Sequence, residues 1–193
     1  MLKRPMIAMI LASTVLTGCS SIISATREEP IQEDQSSRTL GSYLEDESIE
    51  TKTLVNLSKG SQALAGSHVN VVSYNGQVLL IGQVPEEQVK REAGEIASQV
   101  RHVRKVHNEL EVAGPTSAIV RSNDAYLTSR IKVQMMADKR IASGRIKVVT
   151  ENGVVYLMGL VAPSEADLAV DVTRSVTGVR KIVKVFEYVG GQG

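Results

Sequence analysis

One cysteine, one phenylalanine, no tryptophan and three histidines among 193 residues set the first limits. A lone Cys19 cannot be half of an internal disulfide. Aromatics are 3% of the chain, and none interleaves with the basic clusters Arg101, Arg104, Lys105 and Arg180, Lys181, Lys184. Without rings to stack bases, those clusters do not point to a nucleic-acid partner. His102 and His107 are expected on opposite sides of a strand, which argues against shared metal ligation; with His68 they read as satisfied surface histidines. The chain has no nucleophile motif, P-loop, dinucleotide-binding glycine pattern or paired-cysteine zinc site. Neither a cofactor, a small-molecule substrate nor catalysis is expected.

The first residues read as a targeting segment. Lys3 and Arg4 precede an apolar run over residues 6–16, too short for a permanent membrane span. Leu16-Thr17-Gly18-Cys19 then forms a lipobox, a small residue before a cysteine at the end of a signal run. The thiol takes a diacylglycerol thioether, and cleavage frees its amine for a further acyl chain such as palmitate. Each buried CH₂ adds roughly 0.8 kcal/mol to membrane attachment, so several chains make a stable anchor. Ser20 after the cysteine, rather than Asp, favours the outer membrane. The expected order is a signal peptide over 1–18, a lipidated flexible tether over 19–44, and two domains over 45–113 and 122–190.

Those domains follow from an internal repeat. Residues 70–84 read NVVSYNGQVLLIGQV and residues 147–161 read KVVTENGVVYLMGLV. Asn-Gly between two β-rich runs is a strong hairpin signal, because a type I′ turn needs φ > 0 at both central residues. Before each hairpin, Ile49, Thr53, Leu57 and Leu127, Ile131, Met135 recur at helical spacing, with Asp46 and Asp124 as expected N-caps. After each hairpin, Val89, Ala93, Ile96, Val100 and Ala169, Val172, Val176 mark a second helix. A third strand follows, carrying Val106, Leu110 and Val112 in the first copy. The expected class is α+β: helix-strand-strand-helix-strand twice, each copy with a three-stranded mixed sheet. Gly82 and Gly159 sit inside strands, and close approach of a helix is the reason expected for both. Both faces of each sheet are apolar, so the sheets are expected to pack the two copies together.

The copies differ in charge. Between Asp46 and Val112 there are seven basic and nine acidic residues; between Arg121 and Val189 there are eleven and seven. A cationic second copy suits an anionic partner such as phospholipid head groups. Its first helix places Tyr126, Val133 and Met136 away from the core stripe, with Arg130 and Lys132 beside them. Burial of Tyr126 and Met136 against the other copy is the alternative for those residues. The first copy has Ser48, Val55 and Ser58 at the same places, so its helix is expected to lack the strip.

The pattern V-x-V-x-x-x-N-G-x-V-x-L-x-G-x-V, with Ile146 at the first place in the second copy, resembles the BON domain. A lipobox followed by two copies resembles the dual BON-domain outer-membrane lipoproteins, as do Thr150–Val161 and Ser122–Asp124. The resemblance implies a non-catalytic periplasmic module that binds anionic phospholipid and supports the outer-membrane barrier. It also implies a lipid-contacting first helix in the second domain, where Tyr126 stands for a tryptophan and Met136 for a leucine. A scaffold for envelope proteins, in outer-membrane assembly or wall remodelling, is the alternative function.

Overall fold

Why the Asn-Gly turns hold their shape is best seen from the helices beneath them. A computed structural model describes residues 38–189 of the chain. The leader, Cys19 and the tether up to residue 37 lie outside the described residues. In order, the elements are α1 (Leu40–Leu57), α2 (Gln62–Ala65), β1 (His68–Tyr74), β2 (Gln77–Val84), α3 (Glu87–Ser98), β3 (Lys105–Asn108) and β4 (Glu111–Val112). The second copy comprises α4 (Ala118–Ala137), a 3₁₀ turn (Ser143–Arg145), β5 (Ile146–Glu151), β6 (Val154–Val161), α5 (Pro163–Ser175) and β7 (Lys181–Tyr188).

The first helix of each copy starts earlier than its sequence pattern predicts. Thr39 and Ser117 are the N-caps, their side chains accepting from Ser42 N and Val120 N. The expected tether therefore loses its last residues to α1, and α4 claims the second half of the expected linker. Asp46 and Asp124 are not caps but buried mid-helix residues. Each reaches across to the hairpin. Asp46 accepts from Asn75 N at 2.8 Å and Gly76 N at 2.9 Å. Asp124 accepts from Asn152 N and Gly153 N, both at 2.8 Å. The turns have φ of 53° and 72° in the first copy and 47° and 71° in the second. Successive N–H groups in such a turn point the same way and have no strand partner, so a carboxylate fits them as an anion fits a nest. Asp46 also accepts from Ser73 Oγ at 2.7 Å and Arg38 at 3.0 Å.

Both sheets are mixed, as expected. In each, the middle strand pairs antiparallel with its hairpin partner and parallel with the last strand. The second copy's last strand pairs without a break from Lys181 to Tyr188. The first copy's is interrupted between Asn108 and Glu111, so its sheet counts four strands, while the register stays the same on both sides. Val112 at its end is exposed rather than part of the core.

Gly82 and Gly159 have a different cause from the one expected. A Cβ at Gly82 would lie 2.0 Å from the His68 carbonyl oxygen, and one at Gly159 would lie 2.6 Å from that of Arg145. The neighbour is the entry to the paired strand, not a helix. Gly82 also has φ of 123°, a left-handed conformation that favours glycine.

One face of each sheet packs on its own helices. Val71, Val78, Leu80 and Val84 meet Ile49, Leu57 and Ala93; Val148, Val155, Leu157 and Val161 meet Leu127, Ile131 and Ala169. The opposite faces meet each other. Val72, Tyr74, Leu79 and Ile81 of the first sheet form one cluster with Tyr156, Met158, Leu160 and Val185 of the second. One polar contact beside this cluster is repeated in the opposite sense. Asn75 donates to Glu187 at 3.1 Å, and the equivalent Asn152 donates to the equivalent Glu111 at 3.3 Å. Between the copies, Gln83 donates to Glu151 at 2.8 Å and Tyr74 to the Arg145 carbonyl at 2.6 Å. Lys147 pairs with Glu50 at 2.7 Å. Arg104 grips Glu187 with two bonds of 2.9 and 3.0 Å, which holds that carboxyl below its usual range.

Candidate functional site

α4 is the longest helix described, and its apolar residues fall on two faces. Leu127, Ile131 and Met135 recur every four residues and are buried on the sheet. Opposite them stand Tyr126, Val133 and Met136, which are 58%, 60% and 64% exposed. Neither Tyr126 nor Met136 is packed against the first copy. The earlier start of the helix adds Ile119, which is 81% exposed. Ile119, Tyr126 and Val133 are seven residues apart, so they share one line along the helix. The sequence pattern missed Ile119 because it took Asp124 for the cap and began the helix after it.

Arg130 and Lys132 are exposed on the flanks of this line. Arg130 lies one turn from Tyr126, with Nη1 3.5 Å from the phenol oxygen. Neither Arg130 nor Lys132 pairs with a carboxylate among the described residues. At the far end, Lys132 and Met136 border a groove of about 310 Å³ whose other walls include Met135, Ile146 and Val148. All five residues singled out on this helix in the sequence are therefore exposed and lie along one outward surface.

The first copy is different at the equivalent places. Ser48 and Ser58 stand where Tyr126 and Met136 stand, and only Val55 matches Val133. α1 exposes apolar residues at its ends instead: Leu40, Tyr43 and Leu44 at the start and Leu54 and Val55 near the close. The middle of its outward face is polar.

Elsewhere the chemistry is sparse. A cleft of about 540 Å³ between the two copies' connection and α2 is walled by Ala63, Val84, Pro85 and Pro115, with Gln62, Ser67, His68 and Gln83 as its polar residues. His102 is not on a strand: it sits in the turn before β3 with φ of 71° and pairs with Glu45. His107 contacts Gln77 at 2.9 Å, and burial holds its pKa below the usual imidazole value. Among the described residues no cluster of His, Cys, Asp and Glu is arranged to hold a metal, and no helix is long and apolar enough to cross a membrane.

The BON domain family matches residues 45–114 and 123–190. The chain is 39% identical over 183 residues to the outer membrane lipoprotein DolP of Haemophilus influenzae, covering 94% of this chain and 95% of that one. It is 38% identical over 152 residues to the 21 kDa hemolysin of Actinobacillus pleuropneumoniae, covering 79% and 78%. It is 28% identical over 188 residues to osmotically-inducible protein Y of Escherichia coli, covering 94% and 93%.

Proposed function

The chain belongs to the BON-domain family as a two-domain, DolP-like member, and from that premise we propose that it is a non-catalytic outer-membrane lipoprotein that binds anionic phospholipid. Acylated Cys19 is the anchor, and the folded part faces the periplasm. The second domain meets the membrane through the outward face of α4, and this attachment supports the integrity of the outer membrane.

One observation carries the reading. The exposed row of Ile119, Tyr126, Val133 and Met136 is edged by Arg130 and Lys132, which pair with no carboxylate among the described residues. A helix lying in the membrane interface places apolar atoms at the acyl boundary and cations at the phosphates. Full burial of a large apolar side chain is worth about 1.5–3 kcal/mol, and each cation near an anionic surface adds about 1 kcal/mol. Tyr126 suits the boundary, having an apolar ring and a polar tip. The groove beside Met136 offers apolar walls to part of an acyl chain.

The test is vesicle flotation of the chain carrying Cys19→Ser, which removes the acyl acceptor. Vesicles of phosphatidylcholine are compared with vesicles enriched in phosphatidylglycerol. Binding is expected to rise with phosphatidylglycerol, to fall with salt, and to weaken with Tyr126→Ala or Arg130→Glu. Indifference to lipid charge and to both substitutions overturns the reading and turns the same row into a docking surface for an envelope protein.

A further inference from the structure

A second cationic feature lies away from α4. Between the last turn of α5 and the start of β7 is an open cleft of about 410 Å³. Arg174, Arg180, Lys181 and Lys184 line it above an apolar floor of Val170 and Ile182, and no acidic residue lines it. Arg174 touches Asp171 at 3.3 Å, on the exposed surface outside the cleft. Among the described residues, Arg180, Lys181 and Lys184 pair with no carboxylate. Lys181 stands at the strand entry on the face of Val183 and Val185, so the charges that share the α5 side of the cleft are those of Arg174, Arg180 and Lys184, and like charges lining one hollow repel one another unless an anion joins them.

The first copy shows how the fold closes this place when no ligand is wanted there. Its equivalents of Arg174, Arg180, Lys181 and Lys184 are Ser98, Arg104, Lys105 and Asn108. Asn108 lies over Gly94, where a Cβ would come within 2.8 Å of its Nδ2, and donates to the Lys90 carbonyl at 2.6 Å. Val170 replaces Gly94 in the second copy, so the seat is filled and Lys184 borders an open cleft instead. The two arginines also diverge. Each lies across its Asn-Gly turn and donates to the asparagine carbonyl, at 3.1 Å in both cases. Arg104 gives its remaining capacity to Glu187, whereas Arg180 has only the Asn152 side chain at 3.3 Å. The turn holds the Arg180 stem in place, with its Cδ close over Gly153, so the guanidinium is positioned before any ligand arrives.

We propose that this cleft is a phosphate-binding site, separate from the α4 surface, that takes the phosphate group of a phosphorylated ligand. Guanidinium groups match phosphate oxygens in pairs, and lysines add charge without demanding geometry. The phosphate belongs either to a lipid head group or to a soluble phosphoester. The site does not depend on the reading of α4.

The test follows the backbone amide signals of the full chain carrying Cys19→Ser. Inorganic phosphate is titrated against sodium chloride of matched ionic strength, and phosphatidylglycerol vesicles are added in a separate series. Saturable shifts of the 179–184 amides with phosphate, absent with chloride, support the site and assign a soluble source. Broadening of the same amides only with vesicles, retained in the Tyr126→Ala chain, supports it and assigns a lipid source. Arg174→Gln with Lys184→Gln is expected to weaken either response roughly tenfold while leaving the thermal midpoint in place, since both side chains are exposed. Tyr126→Ala is expected to leave the phosphate response unchanged even if it abolishes vesicle binding, so the two proposals fail separately. No saturable response to either probe, the same response to chloride, or a response untouched by the double substitution overturns the proposal.

Discussion

Asp46 and Asp124 clamp equivalent turns, yet Asp46 accepts bonds from four residues and Asp124 from two. The contrast recurs across the molecule. Polar groups of the first copy find protein partners: Asp46 and Asn108 within that copy, with Arg38 and the Lys90 carbonyl, and Arg104 across the interface, with Glu187. In the second, Arg180 and Lys184, the equivalents of Arg104 and Asn108, pair with no carboxylate among the described residues, and the middle of the first helix's outward face carries Tyr126 where the first copy has Ser48. One scaffold thus serves two ends. A side chain already held by a protein partner, as Arg104 and Asn108 are, has little left for a ligand, while Arg180 and Lys184 remain available to one.

The sharpest test of this contrast is to remove the clamps. Asp46→Ala leaves two turn N–H groups, a serine hydroxyl and a guanidinium without their acceptor. It is expected to cost about 3–5 kcal/mol, as for other buried charged partners. Asp124→Ala strands two N–H groups and is expected to cost about 2–3 kcal/mol. Urea unfolding measures both. Equal losses would break the comparison. The shared cluster of Tyr74, Leu79, Tyr156 and Met158 further predicts one cooperative transition in each variant. Two separated transitions would show that the copies do not support one another.

These clamps also mark where sequence patterns stop. The Asn-Gly turns, the buried helix faces and the helix-strand-strand-helix-strand order are local signals, and each appears in the structure, with the short α2, the 3₁₀ turn and the break between β3 and β4 added. Asp46 and Asp124 were misread because an aspartate before an apolar helical stripe looks like an N-cap. Their real partners are about thirty residues away, and only the fold brings them together. The glycines are similar. Nothing near Gly82 in sequence announces the His68 carbonyl, because the close approach is made by the strand register. The outward face of α4 was legible from helical periodicity for Tyr126, Val133 and Met136. Ile119 was hidden by the misplaced cap, and the cleft at Lys184 was hidden because it depends on what Val170 displaces.

A smaller effect of opposite sign bears on the cores. Thr53 and Ile131 occupy the same place on α1 and α4, and both are fully buried. The Thr53 hydroxyl has no hydrogen-bond partner among the described residues. A buried hydroxyl without a partner costs about 1–3 kcal/mol in mutational series. Thr53→Val keeps the shape, removes the hydroxyl and brings the first core closer to the second. It is expected to raise stability by about 1 kcal/mol, read as a higher urea midpoint at unchanged slope. A loss of stability would mean that the hydroxyl has a partner in solution, and the first copy would then be fully satisfied.

The finest distinction between the copies is in their response to acid. His107 belongs to the first copy, and burial, helped by Lys105, lowers its pKa from the ordinary 6.5. The neutral ring is therefore favoured in the folded state, and its contribution is complete above pH 6.5. It is lost as pH falls from 6.5 through the folded value, because the unfolded chain binds the proton more readily. Glu187 belongs to the second copy, and its hydrogen bonds from Arg104 lower its pKa from the ordinary 4.5. Its contribution is present above pH 4.5 and is lost as pH falls through its folded value. Stability measured against pH should thus decline in two steps, that of His107 at the higher pH. His107→Gln is expected to flatten the step below pH 6.5 and leave the lower one. Glu187→Gln is expected to do the reverse, and it also removes the charge that holds Arg104. If Glu187→Gln flattened the upper step instead, the ion pair joining the copies would not be what sets the lower one. The assignment of Arg104 to closure, and of Arg180 to ligand, would then lose its basis.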